Sequence, residues 1–300
     1  MISRMVDRTS SQESTTPLRG RLLLLAAAVL WSTSGLLVKC EPMQAIALEH
    51  RGPLVACYRV LFAALVIVPF IRWREIRFSL ALIGMALSYA SMNILYVTAL
   101  TRTTAAAAIF LQYTSTAWAY LFGVLLLGER GDRGSRVALI FAMCGIAWII
   151  FSEWNGDQLT GNLLALASGL SYSGVVIGLR ALRGEQAAWL VFVNSLVAGL
   201  VLLPWVLTFD VTITPVQWTV IAGLGIFQMG VPYLLFALGL RYVQASEAAL
   251  LTLLEAVLNP IWVWLVLSEV APISTWAGGL LILAGLVVRY TLFAPRRDVV

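Results

Sequence analysis

Apolar and polar positions along this chain come in blocks rather than in alternation. Uncharged, largely apolar runs cover 22–38, 78–101, 103–128, 137–152, 158–179, 186–209, 211–240 and 270–288. A helix rises about 1.5 Å per residue, so about 20 residues cross roughly 30 Å of hydrocarbon. Each of these eight runs meets or approaches that length and reads as a membrane span. Two further segments, about 53–71 and about 244–267, have the right length but carry charge: Arg59 in the first, and Glu255 inside and Glu247 near the start of the second. No run follows the two-residue period of a membrane barrel. The pattern predicts an all-α integral membrane protein of ten transmembrane helices. They use about 210 residues and leave no room for a soluble domain.

Composition agrees. The chain is 60% hydrophobic and 12% charged, against about 25% charged in soluble domains. With three Cys in 300 residues a disulfide scaffold is excluded too. His50 is the single histidine, which removes His-built metal and haem sites. No GxSxG, phosphate loop or paired intramembrane Asp is present, so the chain does not read as an enzyme, and no cofactor is expected. The net charge of +5 comes from basic residues spread between apolar runs, which speaks for topology and against nucleic acid. If the N-terminus is cytoplasmic, sixteen of the 20 Lys and Arg fall in inside regions. Only Lys39, Arg51 and Arg102 fall outside, and Arg59 lies within a span. By the positive-inside rule both termini are cytoplasmic. Residues 1–20 read as a disordered tail and 294–300 as a second tail.

An internal repeat then organises the ten spans. A shift of 140 carries Leu100, Ala105, Leu125, Glu129 and Gly145 onto Leu240, Ala245, Leu265, Glu269 and Gly285. A shift of 141 carries Gly20 and Ser32 onto Gly161 and Ser173, and a shift of 135 carries Pro69 onto Pro204. The halves are 21–152 and 158–293. Five spans per half is an odd number, so the second half sits inverted in the membrane, the plan of secondary transporters with a site at the midplane. Two five-helix copies, each closing its fourth helix on an apolar run plus Glu (Glu129, Glu269), resemble the EamA-type drug/metabolite transporters. The YRVLFAAL segment around Arg59 is similar to the start of that family's second helix. Members often carry Pro in the middle of the fourth and ninth helices. Here the fourth has Ser115, Thr116 and Ala117 instead, while the ninth has Pro260. The resemblance, narrowed to bacterial aromatic amino-acid exporters by the aromatic-rich helices, implies export across the bacterial inner membrane by alternating access.

Charges and aromatic stripes inside the spans supply the candidate chemistry. An isolated membrane charge is costly and must face protein or a wet cavity. Glu255, near the midplane, could serve as a proton site, as a counter-charge for a substrate ammonium, or as a structural carboxylate. Arg59 reads as an interhelix polar anchor, with Asn194 at the matching repeat position. Tyr89, Asn93 and Tyr96 share one helical face, and Gln112 opens a polar face on the fourth helix. The expected substrate cavity is lined by Trp31, Tyr89, Asn93, Tyr96, Gln112, Tyr172, Gln228 and Glu255, with a hinge at Asn259 and Pro260. Such a lining offers aromatic faces and few fixed charges, which suits an amphipathic zwitterion. The expected partners are an amino acid-like small molecule and the lipid bilayer, with proton coupling if Glu255 titrates. Efflux of lipophilic cations or drugs, and a membrane sensor or scaffold without flux, are the alternatives.

Overall fold

The computed structural model describes residues 3–128, 132–152, 154, 156–243 and 245–293. Among these residues the chain is all-helical, without strands. That follows from its composition, because a lipid-facing backbone must satisfy its own hydrogen bonds within each segment. The elements are α1 (Ser3–Trp31), α2 (Ser34–Lys39), α3 (Glu41–Gln44), α4 (Leu48–Ile67), α5 (Leu80–Arg102), α6 (Ala105–Tyr113) and α7 (Ser115–Leu127). They continue with α8 (Arg133–Ser152), α9 (Leu159–Ala181), α10 (Ala187–Val206), α11 (Pro215–Gly223), α12 (Val231–Gly239), α13 (Ala245–Leu267) and α14 (Ile273–Thr291). A π-helical stretch, Leu224–Gly230, joins α11 to α12.

Among the described residues nine helices are long and apolar enough to cross a membrane, the first being Pro17–Lys39 and the last Ile273–Thr291. The run at 103–128 is not in that set. It is divided into α6 and α7 at Thr114, whose hydroxyl bonds back to the Leu111 carbonyl at 2.6 Å. Such a back-bond competes with the helical ladder and loosens it without any proline. The expected tail at 294–300 and the expected repeat residue Glu129 lie outside the described residues.

Helix ends follow local sequence. Ser79 caps α5 by accepting from Leu82 N, and Thr104 caps α6 by accepting from Ala107 N, both at 3.2 Å. Thr214 and Gln217 form a capping box on α11 with Pro215 at its first position. Large apolar side chains such as Leu65, Phe78, Phe151, Leu265 and Ile273 point outward and are more than half exposed, as a hydrocarbon solvent requires.

Inside, the buried apolar residues form two clusters. Along α4 one cluster holds Leu54 to Cys57 and the other Val60, Ala63 and Ile67. Along α5 the order reverses, with Leu82 to Met92 in the second cluster and Tyr96 to Leu100 in the first. The boundary between the clusters therefore passes through Arg59 and Asn93.

Candidate functional site

Arg59 is 2% exposed and lies about 16 Å along its helix from Leu48. Its Nε and Nη2 donate to Oδ1 of Asn93 at 3.1 and 2.7 Å, and its Nη1 to Oε1 of Gln228 at 3.4 Å. Asn93 returns Nδ2 to the Ala56 carbonyl at 2.8 Å. Gln228 donates to the Trp31 carbonyl at 3.4 Å. These partners are all neutral, so amide dipoles alone compensate a buried guanidinium, which leaves part of its desolvation cost standing.

Gln228 reaches Arg59 because it sits in the π-helical stretch, whose extra residue per turn re-aims side chains. The same stretch comes unusually close to α4. A Cβ at Gly225 would lie 2.3 Å from Phe62 Cβ and 2.5 Å from the Arg59 carbonyl oxygen, so only glycine fits there.

Glu255 lies about 18 Å from the Leu267 end of α13. That end is on the same side as Leu48, because Lys39, just before α3 and α4, pairs with Glu269, just beyond α13. Arg59 and Glu255 thus occupy similar depth. The Tyr113 hydroxyl lies 3.1 Å from Glu255 Oε2 and 2.9 Å from the Thr252 carbonyl. It has one hydrogen to share between them. Tyr96, Tyr172 and Tyr233 lie within electrostatic range of the carboxylate. Tyr89, Tyr96 and Tyr233 lie within range of Arg59. Trp31 stands edge-on to Tyr233 with ring centres 5.2 Å apart and beside Phe236 at 5.4 Å.

Trp31, Tyr113, Tyr172, Tyr233 and Glu255 are each half-buried. Together they form a partly accessible aromatic cluster around Glu255. Arg59, Asn93 and Gln228 are nearly fully buried.

Other expected lining residues take different positions. Tyr96 is buried, with its hydroxyl 3.3 Å from Ser34 Oγ and 3.4 Å from Nδ2 of Asn259, so it ties three spans together. Tyr89 is buried with its hydroxyl facing Ser195 and Tyr233. Gln112 turns to the Met92 sulphur at 3.4 Å. Asn194 is buried on α10, its Oδ1 without a hydrogen-bond partner, and takes no part in the Arg59 network. α13 runs unbroken through Asn259 and Pro260. Tyr113 and Tyr233 were not among the expected residues. A shift of 140 from Asn93 lands on Tyr233, a signal the sequence does contain.

Two ion pairs bracket this layer. Arg21 at the start of the first span meets Glu247 at the start of α13, both partly exposed. At the opposite end Lys39 pairs with Glu269 and also donates to the Thr103 carbonyl at 2.7 Å. Glu269 Oε1 accepts from Ala105 N at 2.7 Å, capping the start of α6.

The EamA-like transporter family model matches the chain twice, over residues 18–151 and again over 159–291. The chain belongs to the EamA-like transporter family. It is thus a multi-pass membrane protein of a transporter family. This EamA-like chain is 25% identical over 272 residues to an uncharacterized transporter of Archaeoglobus fulgidus, covering 90% of the chain and 96% of that protein. It is 28% identical over 293 residues to the uncharacterized transporter YwfM of Bacillus subtilis, covering 92% and 95%. With the pseudopaline exporter CntI of Pseudomonas aeruginosa it shares 27% over 270 residues, covering 88% and 93%. A solved protein crystal structure has the same fold, with a TM-score of 0.64 at 18% identity over 93% of this chain and 98% of the other. The two family matches divide the aromatic cluster: Trp31 and Tyr113 come from the first copy, and Tyr172, Tyr233 and Glu255 from the second.

Proposed function

We propose that the chain is a secondary transporter that exports small organic metabolites, amino acids including aromatic ones, across the bacterial inner membrane by alternating access. In this reading α6 and α7 together make a tenth crossing, both termini are cytoplasmic, and the two family copies are inverted relative to each other. The observation that carries it is the mid-depth aromatic cluster, built from side chains of both copies around a single carboxylate. Packing between the copies supports the inversion. α5 rests on α9 as α12 rests on α1, and α6 rests on α9 as α13 rests on α1, while α4 meets α10 and α8 meets α14. Exchanging the copies maps this set onto itself, as a two-fold axis between the halves would require. The pseudopaline exporter among the relatives supports outward movement of a small molecule. The Lys39–Glu269 pair then closes the outer end, and the more exposed Arg21–Glu247 pair stands at the inner one.

Flux into liposomes tests this. The purified chain should move labelled amino acids, aromatic ones among them, in competition with unlabelled amino acids more than with quaternary amines. Binding without flux, or preference for the amines, refutes it.

A further inference from the structure

We propose that the cleft between the α4–α5 loop and the α9–α10 loop binds the phosphate of an anionic phospholipid. α4 leaves the Lys39 end of the bundle and finishes at Ile67, so residues 68–79 lie at the opposite end, where α9 finishes at Ala181. The site is read by binding alone, and its failure leaves the transport reading untouched.

The cleft encloses about 380 Å³ between residues 74–77 of one loop and 184–186 of the other. Specific bonds fix both loops. The Gln186 side chain accepts from Arg72 N at 2.9 Å and donates to the Arg72 carbonyl at 3.0 Å, as a paired residue on a neighbouring strand would. Trp189 Nε1 donates to the Arg77 carbonyl at 3.2 Å. The backbone is thus held on both sides of Arg74. The positive-inside rule explains basic loops, but it asks for no cleft and no clasp.

Charge decides what fits there. Arg74, Glu75, Arg77 and Glu185 supply the charges of the lining. Glu75 is already taken by Arg72 at 3.2 Å. Arg74, Arg77 and Glu185 are in none of the ion pairs found among the described residues. Two positive charges then face one negative, and the exposed Arg183 beside Gly184 adds a further cation. A phosphodiester, with its single negative charge, offsets that excess and can accept from both guanidinium groups. A zwitterionic headgroup carries no net charge to offset it. Glu185 can accept from a headgroup hydroxyl, which phosphatidylglycerol offers.

The flanking residues identify the source of the phosphate as lipid. Phe70, Trp73, Phe78 and Leu80 are each more than half exposed, and the exposed Arg72, Arg74 and Arg77 are interleaved with them. Trp189 is buried beneath, edge-on to Phe78 with ring centres 5.3 Å apart. Water alone would leave four large apolar side chains uncovered, and hydrocarbon alone would strand three guanidinium groups. Such a segment belongs at the membrane–water boundary, where rings and cations both find partners.

Native mass spectrometry of the purified chain in detergent tests this, with phosphatidylglycerol, phosphatidylethanolamine and phosphatidylcholine of identical acyl chains as probes. Wild type should bind phosphatidylglycerol about 25-fold more tightly than either zwitterionic lipid, about fivefold for each of the two lining arginines. Arg74→Gln with Arg77→Gln should bring that preference close to one. Arg133→Gln with Arg136→Gln removes the same charge from the start of α8 and should keep it. Gln186→Leu removes no charge but frees the backbone of Arg72, and should lower the preference several-fold. Excess glycerol 1-phosphate should not displace the lipid. No preference in wild type, equal loss in both double variants, or an unchanged preference in Gln186→Leu overturns the proposal. Displacement by glycerol 1-phosphate at the lipid's own concentration assigns the cleft to a free phosphate ester and overturns the lipid.

Discussion

In the proposed topology, replacing Glu269 by Gln should open the outer end of the chain. The carboxylate joins three elements: it pairs with Lys39 at the end of α2, accepts from Ala105 N at the start of α6, and stands just beyond α13. Lys39 adds a bond to the Thr103 carbonyl at 2.7 Å. The side chains are 13% and 25% exposed, so the pair is neither a surface bridge nor a fully buried one. Exposed pairs contribute about 0–1 kcal/mol, and breaking a buried pair costs about 3–5. Gln keeps the shape and can still accept from Ala105 N, so what is lost is the counter-charge to Lys39. About 2 kcal/mol is a fair intermediate, and at 1.4 kcal/mol per tenfold it raises the outer-open population about 30-fold relative to the closed one.

The assay is thiol accessibility from the outside. Ser34 is fully buried below the pair, so Ser34→Cys, in a chain with Cys40, Cys57 and Cys144 changed to Ser, reports opening through its reaction rate with a membrane-impermeant reagent. Glu269→Gln and Lys39→Met should each speed that reaction by about 30-fold if opening limits labelling. Glu49→Gln, at an exposed contact with His50, should leave it unchanged. If neither Glu269→Gln nor Lys39→Met alters the rate, the pair does not close the outer end.

Gly225→Val should prevent folding or lower the midpoint of thermal unfolding by many degrees in detergent, because its Cβ would collide with Phe62 and the Arg59 carbonyl. Gly223→Ala, with open space around it, should be neutral in the same measurement. Asn93→Leu should destabilise by about 3–5 kcal/mol, since it strips Arg59 of its two shortest bonds. Asn194→Leu should cost far less in the same melt, because its Oδ1 accepts nothing. If accumulation is driven by a pH gradient, Glu255→Gln should abolish that dependence while downhill exchange stays measurable; full gradient-driven accumulation in the variant would refute the proton role. Reporter fusions should put both termini and the 129–132 loop in the cytoplasm, and an external C-terminus would break the inversion argument.

Most of the helical layout is legible in the run lengths, because lipid leaves the backbone no alternative to internal hydrogen bonds. The run at 211–240 becomes Pro215–Gly239, and that at 270–288 becomes Ile273–Thr291. What the runs do not carry is the irregular backbone inside them. The Thr114 break and the π-helical stretch arise from a hydroxyl back-bond and from close helix contact at Gly225. Neither leaves a hydropathy signal, since Thr and Gly are common in apolar spans for other reasons.

Those two irregularities bear on which side chains meet the aromatic cluster around Glu255. Neighbouring residues on a helix point about 100° apart, so choosing Gln112 over Tyr113 is a choice of face. On a straight fourth helix the polar stripe of Gln112, Ser115 and Thr116 would select Gln112. With the break at Thr114, Gln112 meets Met92 while Tyr113 points at Glu255. A shift of 140 matches Asn93 with Tyr233, and both lie near Arg59. The same contrast separates Arg59 from Asn194. They match in register, but Arg59 has gathered Asn93 and Gln228 around a charge, whereas Asn194, with no charge to solvate, is left with an unused oxygen. One half of the molecule therefore carries a fixed cation and the other a fixed anion at similar depth.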